Sequence, residues 1–551
     1  MEAKEKNYIQ NKGITLVALV ITIVILLILA GISISTLTNT GIFQKAKDAK
    51  QKSENAHKEE ESFLTEYEKE ILKQDSNGIW DGNVNKPELM TGMKAIQFNE
   101  PTDTTEGSVK KVDNGNATDW YDYKTKKWAN AQTEDGSMWV WIPRYAYKVV
   151  YNDPNDKSKG GKFDIVFLIG ITDNYIDDNG NIQTAQRQTE KNQVIETDST
   201  KTDKYTVHPA FTNESNIDYA NGGWKEELTG IWVAKFEAGF VDKSIFKANK
   251  EKYFSSVYYT QNTGYTPVGK NEDARNYLNG IYGSNATKIT YPTFQGDKYS
   301  MNYINQGDAF SISSALTEEH NIYGLKSGST DSHLIKNSEW GAVAYLGQSK
   351  YGLNTENIRI NNLNTNNGVE YVYAKTGYAS KMSNDAGATD SIADVYKWTE
   401  ERGIVASCTG TIYGIYDMSG GILERSAAIV NNGHDYLNIF GKSIMNSLNN
   451  GKSSAYVTVY DVSKLGDSGL NNWNVNVKYG DAICEISSGS EEKYSWNMDL
   501  PTESPGSHVP EEFFLSFPVL SASPGGSEGP KRCPAAYSRP AIAPRDDKRP
   551  S

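Results

Sequence analysis

The chain has 551 residues, of which 38% are hydrophobic and 11% aromatic, and this composition predicts about two to four globular domains rather than a disordered chain. The formal net charge of −13 leaves little basic surface and argues against a nucleic-acid-binding function. The three cysteines are too few for a disulfide-dense scaffold or for a four-cysteine zinc site.

The first predicted element is a membrane helix. Residues 14–34 contain no charged side chain, and at about 1.5 Å per residue this stretch would cover roughly the 30 Å hydrocarbon core of a bilayer. The alternative is a cleaved signal peptide, whose apolar core is usually shorter, about 7–15 residues. We therefore predict a single transmembrane helix over 14–37, and a polar and then amphipathic helical extension over 38–75.

The junction Lys-Gly-Ile-Thr-Leu before this helix resembles the N-terminus of type IV prepilins and pseudopilins. The resemblance implies a leader over 1–13, cleavage between Gly13 and Ile14 by a prepilin peptidase, and methylation of Ile14. It also implies other pilins as partners and an extracellular C-terminal part. One departure is Ala18, where that family usually has Glu, and it suggests a minor or initiating subunit or a simple membrane-tethered protein.

After residue 75 the chain predicts many short strands. Apolar runs indicate strands at Ser137–Val150, Phe163–Ile171 and Thr229–Phe240, and the Asp178–Gly180 triplet indicates a hairpin turn. Ser338 is expected to cap a short helix. We divide this part into a β-rich lead-in over 76–137 and a domain over 138–500.

Two segments of that domain resemble the formylglycine-generating-enzyme-like family. They are NSEWGAVAYL from residue 337 and IYGIYDMSGGILE from residue 412, and the residues that carry the match are Glu339, Trp340, Tyr413, Gly414, Tyr416, Asp417, Met418, Gly420 and Glu424. The resemblance implies an α+β fold class, with the long N-terminal helix followed by an irregular C-type-lectin-like domain of short strands and long loops. These residues would form a structural core motif, with Asp417 and Glu424 buried and bonded to backbone N–H groups rather than catalytic.

The chemistry of that family does not follow from the resemblance. Its enzymes hold copper with two closely spaced cysteines, whereas Cys408 and Cys484 are far apart in this chain. Two buried thiols, or one Cys408–Cys484 disulfide, are the alternatives for this pair. The six histidines form no metal-binding spacing, and we therefore predict no metal, no cofactor and no enzymatic activity.

The chain changes character after residue 500. The segment 501–551 holds 10 of the 17 prolines and no asparagine. A disordered proline-rich tail is one interpretation. A shift of the coding frame near Leu500 is the other, because Phe513, Phe514 and Phe517 are unusual in a solvated tail.

Together these observations predict a membrane-tethered, pilin-like surface protein that displays a non-catalytic, lectin-like, adhesin-type binding domain. Its aromatic and asparagine-rich loops would bind an extracellular glycan or a protein. Packing within β-sheets explains the high aromatic content equally well. The alternatives are a pseudopilin with a structural role in pilus or secretion-machine assembly and, less favoured, an active formylglycine-type oxidase.

Overall fold

The computed structural model divides the chain into two compact units, Met1–Asp75 and Ser76–Ser551. It describes residues 20–28, 47–53, 55–56, 79–112, 120–151, 161–187, 204–213, 224, 226–239, 292–298, 300, 306–317, 319, 321–326, 330–354, 358–359, 361, 375–380, 395–418, 426–431, 441–449, 456–461, 480 and 519–520. The predicted cleavage site at Gly13 and Ile14, and most of the proline-rich tail, lie outside these residues.

The first unit corrects the prediction of a transmembrane helix. Its described helical residues are 20–28, 47–53 and 55–56. Within the described residues, no helix is both long and apolar enough to cross a membrane. The predicted long transmembrane helix, and the single-pass membrane location drawn from it, are therefore corrected. The predicted extracellular placement of the rest of the chain loses the membrane helix on which it rested.

The second unit contains fifteen described strands in several small sheets. They are β1 (Lys94–Asn99), β2 (Ser108–Lys111), β3 (Asn130–Gln132), β4 (Met138–Pro143), β5 (Tyr145–Tyr151), β6 (Gly161–Phe167), β7 (Asn174–Ile176), β8 (Ile182–Thr184), β9 (Thr206–Val207), β10 (Gly230–Ala234), β11 (Tyr378–Ser380), β12 (Val395–Lys397), β13 (Ala428–Asn431), β14 (Thr458–Asp461) and β15 (Val519–Leu520). Its described helices are α1 (Gln306–Ser314), α2 (Asn337–Gly347) and α3 (Lys442–Asn449).

The largest described sheet is antiparallel and has the strand order β10-β4-β3-β1-β2. Its central strand β4, MWVWIP, is buried at every position. Such a continuous apolar run, without polar alternation, is typical of a strand that is covered on both faces. The sheet therefore lies inside the unit, with β10 at one edge.

The predicted strand Ser137–Val150 is two strands in two different sheets. β4 pairs with β3 and β10, whereas β5 pairs with β6 and β9. The chain changes sheets at Arg144, whose backbone N–H donates to Thr229 O and whose guanidinium is completely buried. Alternating apolar residues predict strand conformation but not the point at which the chain changes partners.

Other local predictions are confirmed, with small shifts. The hairpin β7–β8 turns at the predicted place, where Gly180 has a φ of +80° and donates its N–H to Asp177 O. The predicted helix is α2, but it begins at Asn337 after Lys336, so Ser338 lies inside it rather than at its cap.

Helix α2 is buried along its whole length and packs under β5 and β6. The rings of Phe163 and Tyr345 stack with their centres 3.7 Å apart, and the hydroxyl of Tyr145 donates to Ala342 O. The described architecture is thus a mixture of short helices and small sheets. The predicted fold class, in which a long helix precedes a C-type-lectin-like domain, is corrected to this coarser description because the long helix is not found in the described residues.

Candidate functional site

A cavity of about 880 Å³ opens beside β10. All five residues of β10 line it, although successive side chains of a strand point to opposite faces of its sheet. A cavity over one face would contact only alternate residues, so this cavity runs along the edge of the sheet. Its other walls include residues of α1 and of the segment 330–335.

Tryptophan rings form much of the described lining: Trp139, Trp141, Trp224, Trp232 and Trp340. The indole N–H of Trp232 donates to the carbonyl oxygen of Glu88 at 2.7 Å, and that of Trp224 donates to Ala210 O at 2.9 Å. Because these polar edges are bonded to the protein, the two rings offer mainly apolar surface to a ligand.

One wall of the cavity carries a cluster of charged groups around the buried side chain of His333. The Nδ1 atom of His333 lies 3.2 Å from Asp331 Oδ1, and its Nε2 atom lies 3.0 Å from Glu339 Oε2. Lys336 Nζ lies 3.0 Å from Glu339 Oε1 and 4.6 Å from the centre of the Trp224 ring. The imidazole is therefore held between two carboxylates.

The electrostatics of this cluster favour the ionised forms. Burial alone would lower the pKa of His333, but Glu339 and Asp331 outweigh it and raise that pKa to about 9. Burial would raise the pKa of Glu339, but Lys336 and His333 lower it to about 2. At neutral pH the cluster is thus a set of fixed ion pairs and holds no neutral imidazole to act as a base.

The sequence also positions this cluster locally. Glu339 lies in the first turn of α2, where its Oε2 atom accepts the backbone N–H of Lys336 at 2.9 Å. A carboxylate at this position is stabilised by the N-terminal end of the helix dipole. The His–x–x–Lys–x–x–Glu spacing is the signal that links His333 to the helix start, and the sequence analysis did not use it.

A second charge cluster holds the rim of the cavity near Glu227. Arg144 is completely buried and lies 2.7 Å from Glu227 Oε2 and 2.9 Å from Asp173 Oδ1. Arg187 pairs with the same two carboxylates, at 2.9 Å and 2.7 Å. Burial lowers the pKa of Arg144, and the two carboxylates oppose that change. The four groups form a compact network that fixes the strand change between β4 and β5 beside the cavity.

The structure brings several residues of the predicted core motif to this region. Glu339, Trp340 and Met418 line the cavity. Tyr413, Gly414, Tyr416 and Asp417 form the neighbouring buried turn, in which Tyr413 OH donates to Phe98 O at 3.2 Å. Gly420 and Glu424 lie outside the described residues.

Asp417 anchors this turn. It is 2% exposed and adopts a left-handed backbone, with φ +61°. Its carboxylate accepts the N–H of Gly377 at 2.8 Å, the side-chain amide of Asn361 at 2.9 Å and the N–H of Glu237 at 3.3 Å. Burial raises the pKa of Asp417 to about 6, against these hydrogen bonds. Asp417 is thus buried and bonded to backbone donors, as the sequence predicts.

Lys235 is a completely buried lysine that was not among the residues expected at the site. Its Nζ atom donates to Ile412 O at 2.7 Å, Gly414 O at 2.8 Å and Asn130 Oδ1 at 3.0 Å. Three acceptors match the three protons of an ammonium group. Burial nevertheless places the pKa of Lys235 well below its usual value. The lysine therefore ties the end of β10 to the motif turn, and a lysine within the apolar run WVAKF is the signal for it.

The thiol of Cys408 is enclosed in the same core. Its Sγ atom accepts the N–H of Ile415 at 3.3 Å, and burial raises its pKa to about 12, so it is protonated and weakly nucleophilic at neutral pH. Cys484 lies outside the described residues. In the described part of the chain, no group of three or more His, Cys, Asp or Glu side chains is arranged to hold a metal ion.

Comparison of the chain with protein-family models, curated proteins and solved structures finds no match. The resemblances to prepilins and to formylglycine-generating-enzyme-like domains therefore stay predictions, and the cavity beside β10 is the feature from which a function can be argued.

Proposed function

We propose that the unit Ser76–Ser551 is a non-catalytic binding domain whose ligand occupies the cavity beside β10. The observation that carries this proposal is the cavity itself, which is large and lined by tryptophan rings. Ligands usually bind in cavities of several hundred Å³ with apolar and aromatic walls. Rigid aromatic side chains provide contact area at a small loss of conformational entropy.

A binding role also agrees with the state of two clusters of titratable groups at the cavity. His333 is bonded to Asp331 and to Glu339, and Glu227 is paired with two arginines. General acid–base catalysis needs a group whose pKa lies near the working pH and whose proton can reach a substrate. Fixed ion pairs with pKa values of about 9 for His333 and about 2 for Glu339 suit a rigid wall better.

The test is a binding screen of the full-length chain with two probe sets, a glycan array and a phage-displayed random heptapeptide library. Ala309 on α1 lines the cavity, and an Ala309→Phe variant would fill part of it. Ser314 lies on the same helix, is exposed and is not part of the lining, so Ser314→Phe is the matched control. We expect Ala309→Phe to abolish the binding of whichever probe is found, and Ser314→Phe to leave it unchanged.

Either of two results would contradict the proposal: that neither probe set binds the parent chain, or that both variants bind the probe equally well. Thermal unfolding of each variant shows whether a loss of binding reflects the blocked cavity rather than an unfolded protein.

A further inference from the structure

The hydrogen-bonding pattern of β10 shows which of its backbone groups face the cavity. Arg144 N–H donates to Thr229 O, and Lys235 N–H donates to Met138 O, both at 2.9 Å. In an antiparallel pair the residues that bond to the neighbouring strand alternate with residues that do not. Residues 229, 231, 233 and 235 thus bond to β4, whereas Gly230, Trp232 and Ala234 direct their N–H and C=O groups away from it.

These outward groups have no backbone partner within the described part of the chain. β10 pairs only with β4 there, and no other described backbone group bonds to Trp232 or Ala234. Both residues line the cavity. A strand edge of this kind is a template for another strand, because leaving backbone donors and acceptors unpaired in an apolar cavity is unfavourable.

The size of the cavity agrees with one added strand. A strand residue occupies about 160 Å³, from a rise of about 3.3 Å, a spacing of about 4.8 Å between strands and about 10 Å between layers. The cavity of about 880 Å³ is therefore large enough to admit a strand segment about as long as β10.

We propose that the ligand is an extended peptide segment that adds to the sheet as a strand beside β10, with apolar side chains between the tryptophan rings. The exposed carboxylates of Glu88 and Glu226 on the rim favour a basic residue in that peptide. This inference rests on the proposed function and adds the chemical class of the ligand. Main-chain hydrogen bonds would provide affinity, and the pockets between the rings would provide specificity.

The test uses a heptapeptide selected from the phage-displayed library and resynthesised in two forms, unmodified and N-methylated at alternate residues. N-methylation removes backbone donors and leaves the side chains in place. We expect at least one of the two alternate methylation patterns to lower the affinity for the parent chain about tenfold or more, because it removes the donors that face β10. This measurement needs no variant of the protein.

A matched pair of variants tests the protein side of the same contact. Ala234→Pro removes only the N–H that faces the cavity, since proline is tolerated at an edge strand on the side away from the ladder. Ala234→Val keeps this N–H and is the control. We expect Ala234→Pro to weaken binding of the unmodified peptide about tenfold and Ala234→Val to change it less than threefold.

The outcomes separate this inference from the proposed function. A glycan that binds and is blocked by Ala309→Phe, with no peptide bound, overturns the strand-addition inference and leaves a binding cavity. A peptide that is blocked by Ala309→Phe but tolerates both N-methylation patterns also overturns it. A peptide that binds regardless of Ala309→Phe overturns the assignment of the cavity itself.

Discussion

At the scale of single residues, the buried carboxylate of Asp417 combines two unusual features. It serves three hydrogen-bond donors, and its own backbone is left-handed. Asparagine and glycine tolerate this backbone conformation, whereas alanine is strained there by about 1–2 kcal/mol. Side-chain and backbone contributions at this position can therefore be separated by substitution.

We expect Asp417→Ala to lower the free energy of unfolding by about 2–4 kcal/mol, because it adds backbone strain to unsatisfied donors. Asp417→Gly loses the same hydrogen bonds but avoids the backbone strain, so it should be less destabilising than Asp417→Ala. Chemical denaturation of the two variants and the parent measures both effects. Equal stability of Asp417→Ala and the parent would disprove the anchoring role.

The pH dependence of Asp417 has a definite sign. Its pKa is about 6 in the folded chain and 3.8 as the ordinary value, so the contribution of this group is most favourable below pH 3.8 and is lost as the pH rises through 6. The side-chain amide of Asp417→Asn does not titrate. The free energy of unfolding that this variant loses relative to the parent should therefore be larger at pH 4 than at pH 7. A deficit that grows from pH 4 to pH 7 would contradict the raised pKa.

The stability contributed by His333 depends on pH in the same direction as that of Asp417, but over a higher pH range. Its pKa rises from 6.5 to about 9 on folding, so the ionised imidazole contributes stability that is complete below pH 6.5 and is lost as the pH rises through 9. We expect His333→Gln to be destabilised by about 1–3 kcal/mol at pH 6, and the deficit to shrink by pH 10. Urea unfolding of variant and parent at both pH values checks this, and a constant deficit would show that folding does not change the pKa of His333.

At the scale of elements, the change of sheet between β4 and β5 depends on the network around Arg144. Removing this guanidinium leaves Asp173 and Glu227 with Arg187 as their remaining partner in the network. Breaking a buried ion pair from one side usually destabilises a protein by about 3–5 kcal/mol. Arg144→Ala should therefore unfold at a markedly lower denaturant concentration than the parent.

The matched control for Arg144→Ala lies on β5. Lys148 pairs with Asp164 at 3.3 Å in a partly exposed position, and exposed pairs contribute about 1 kcal/mol or less. Lys148→Ala should thus be nearly as stable as the parent. Similar losses for the two variants would indicate that the Arg144 network is weaker than its burial suggests.

Several elements could be predicted from the sequence, but their pairing could not. The run TGIWVAKF predicts a strand by its composition, whereas the edge position of β10 depends on pairing with β4, which lies about ninety residues earlier. In the sequence, Arg144 looks like one more residue of a continuous strand, because no neighbouring residue indicates that it pairs with Asp173 and Glu227. Non-local partners of this kind leave no periodic signal in the chain.

The candidate site shows the same division. Glu339, Trp340 and Asp417 were expected in a structural core, and they lie beside or near the cavity. Lys235 and His333 were not expected there, since each is a single polar residue whose partners come from other segments. The membrane prediction is a different case: it rests on the length of one apolar stretch, and no helix within the described residues is long and apolar enough to span a bilayer.

At the scale of the whole unit, the three acceptors around Lys235 have a practical consequence for chemical labelling. An amine reagent needs a free, accessible electron pair on Nζ, and in the folded chain this atom is enclosed and donates to three oxygens. Acetylation of Lys235 should therefore wait for the unit to open, whereas the exposed Lys110 on β2 reacts at once. Peptide mass spectrometry during native-state acetylation would follow both sites, and equal rates would contradict the enclosure of Lys235. If the two rates differ as expected, the acetylation rate of Lys235 reports how often the unit opens under native conditions.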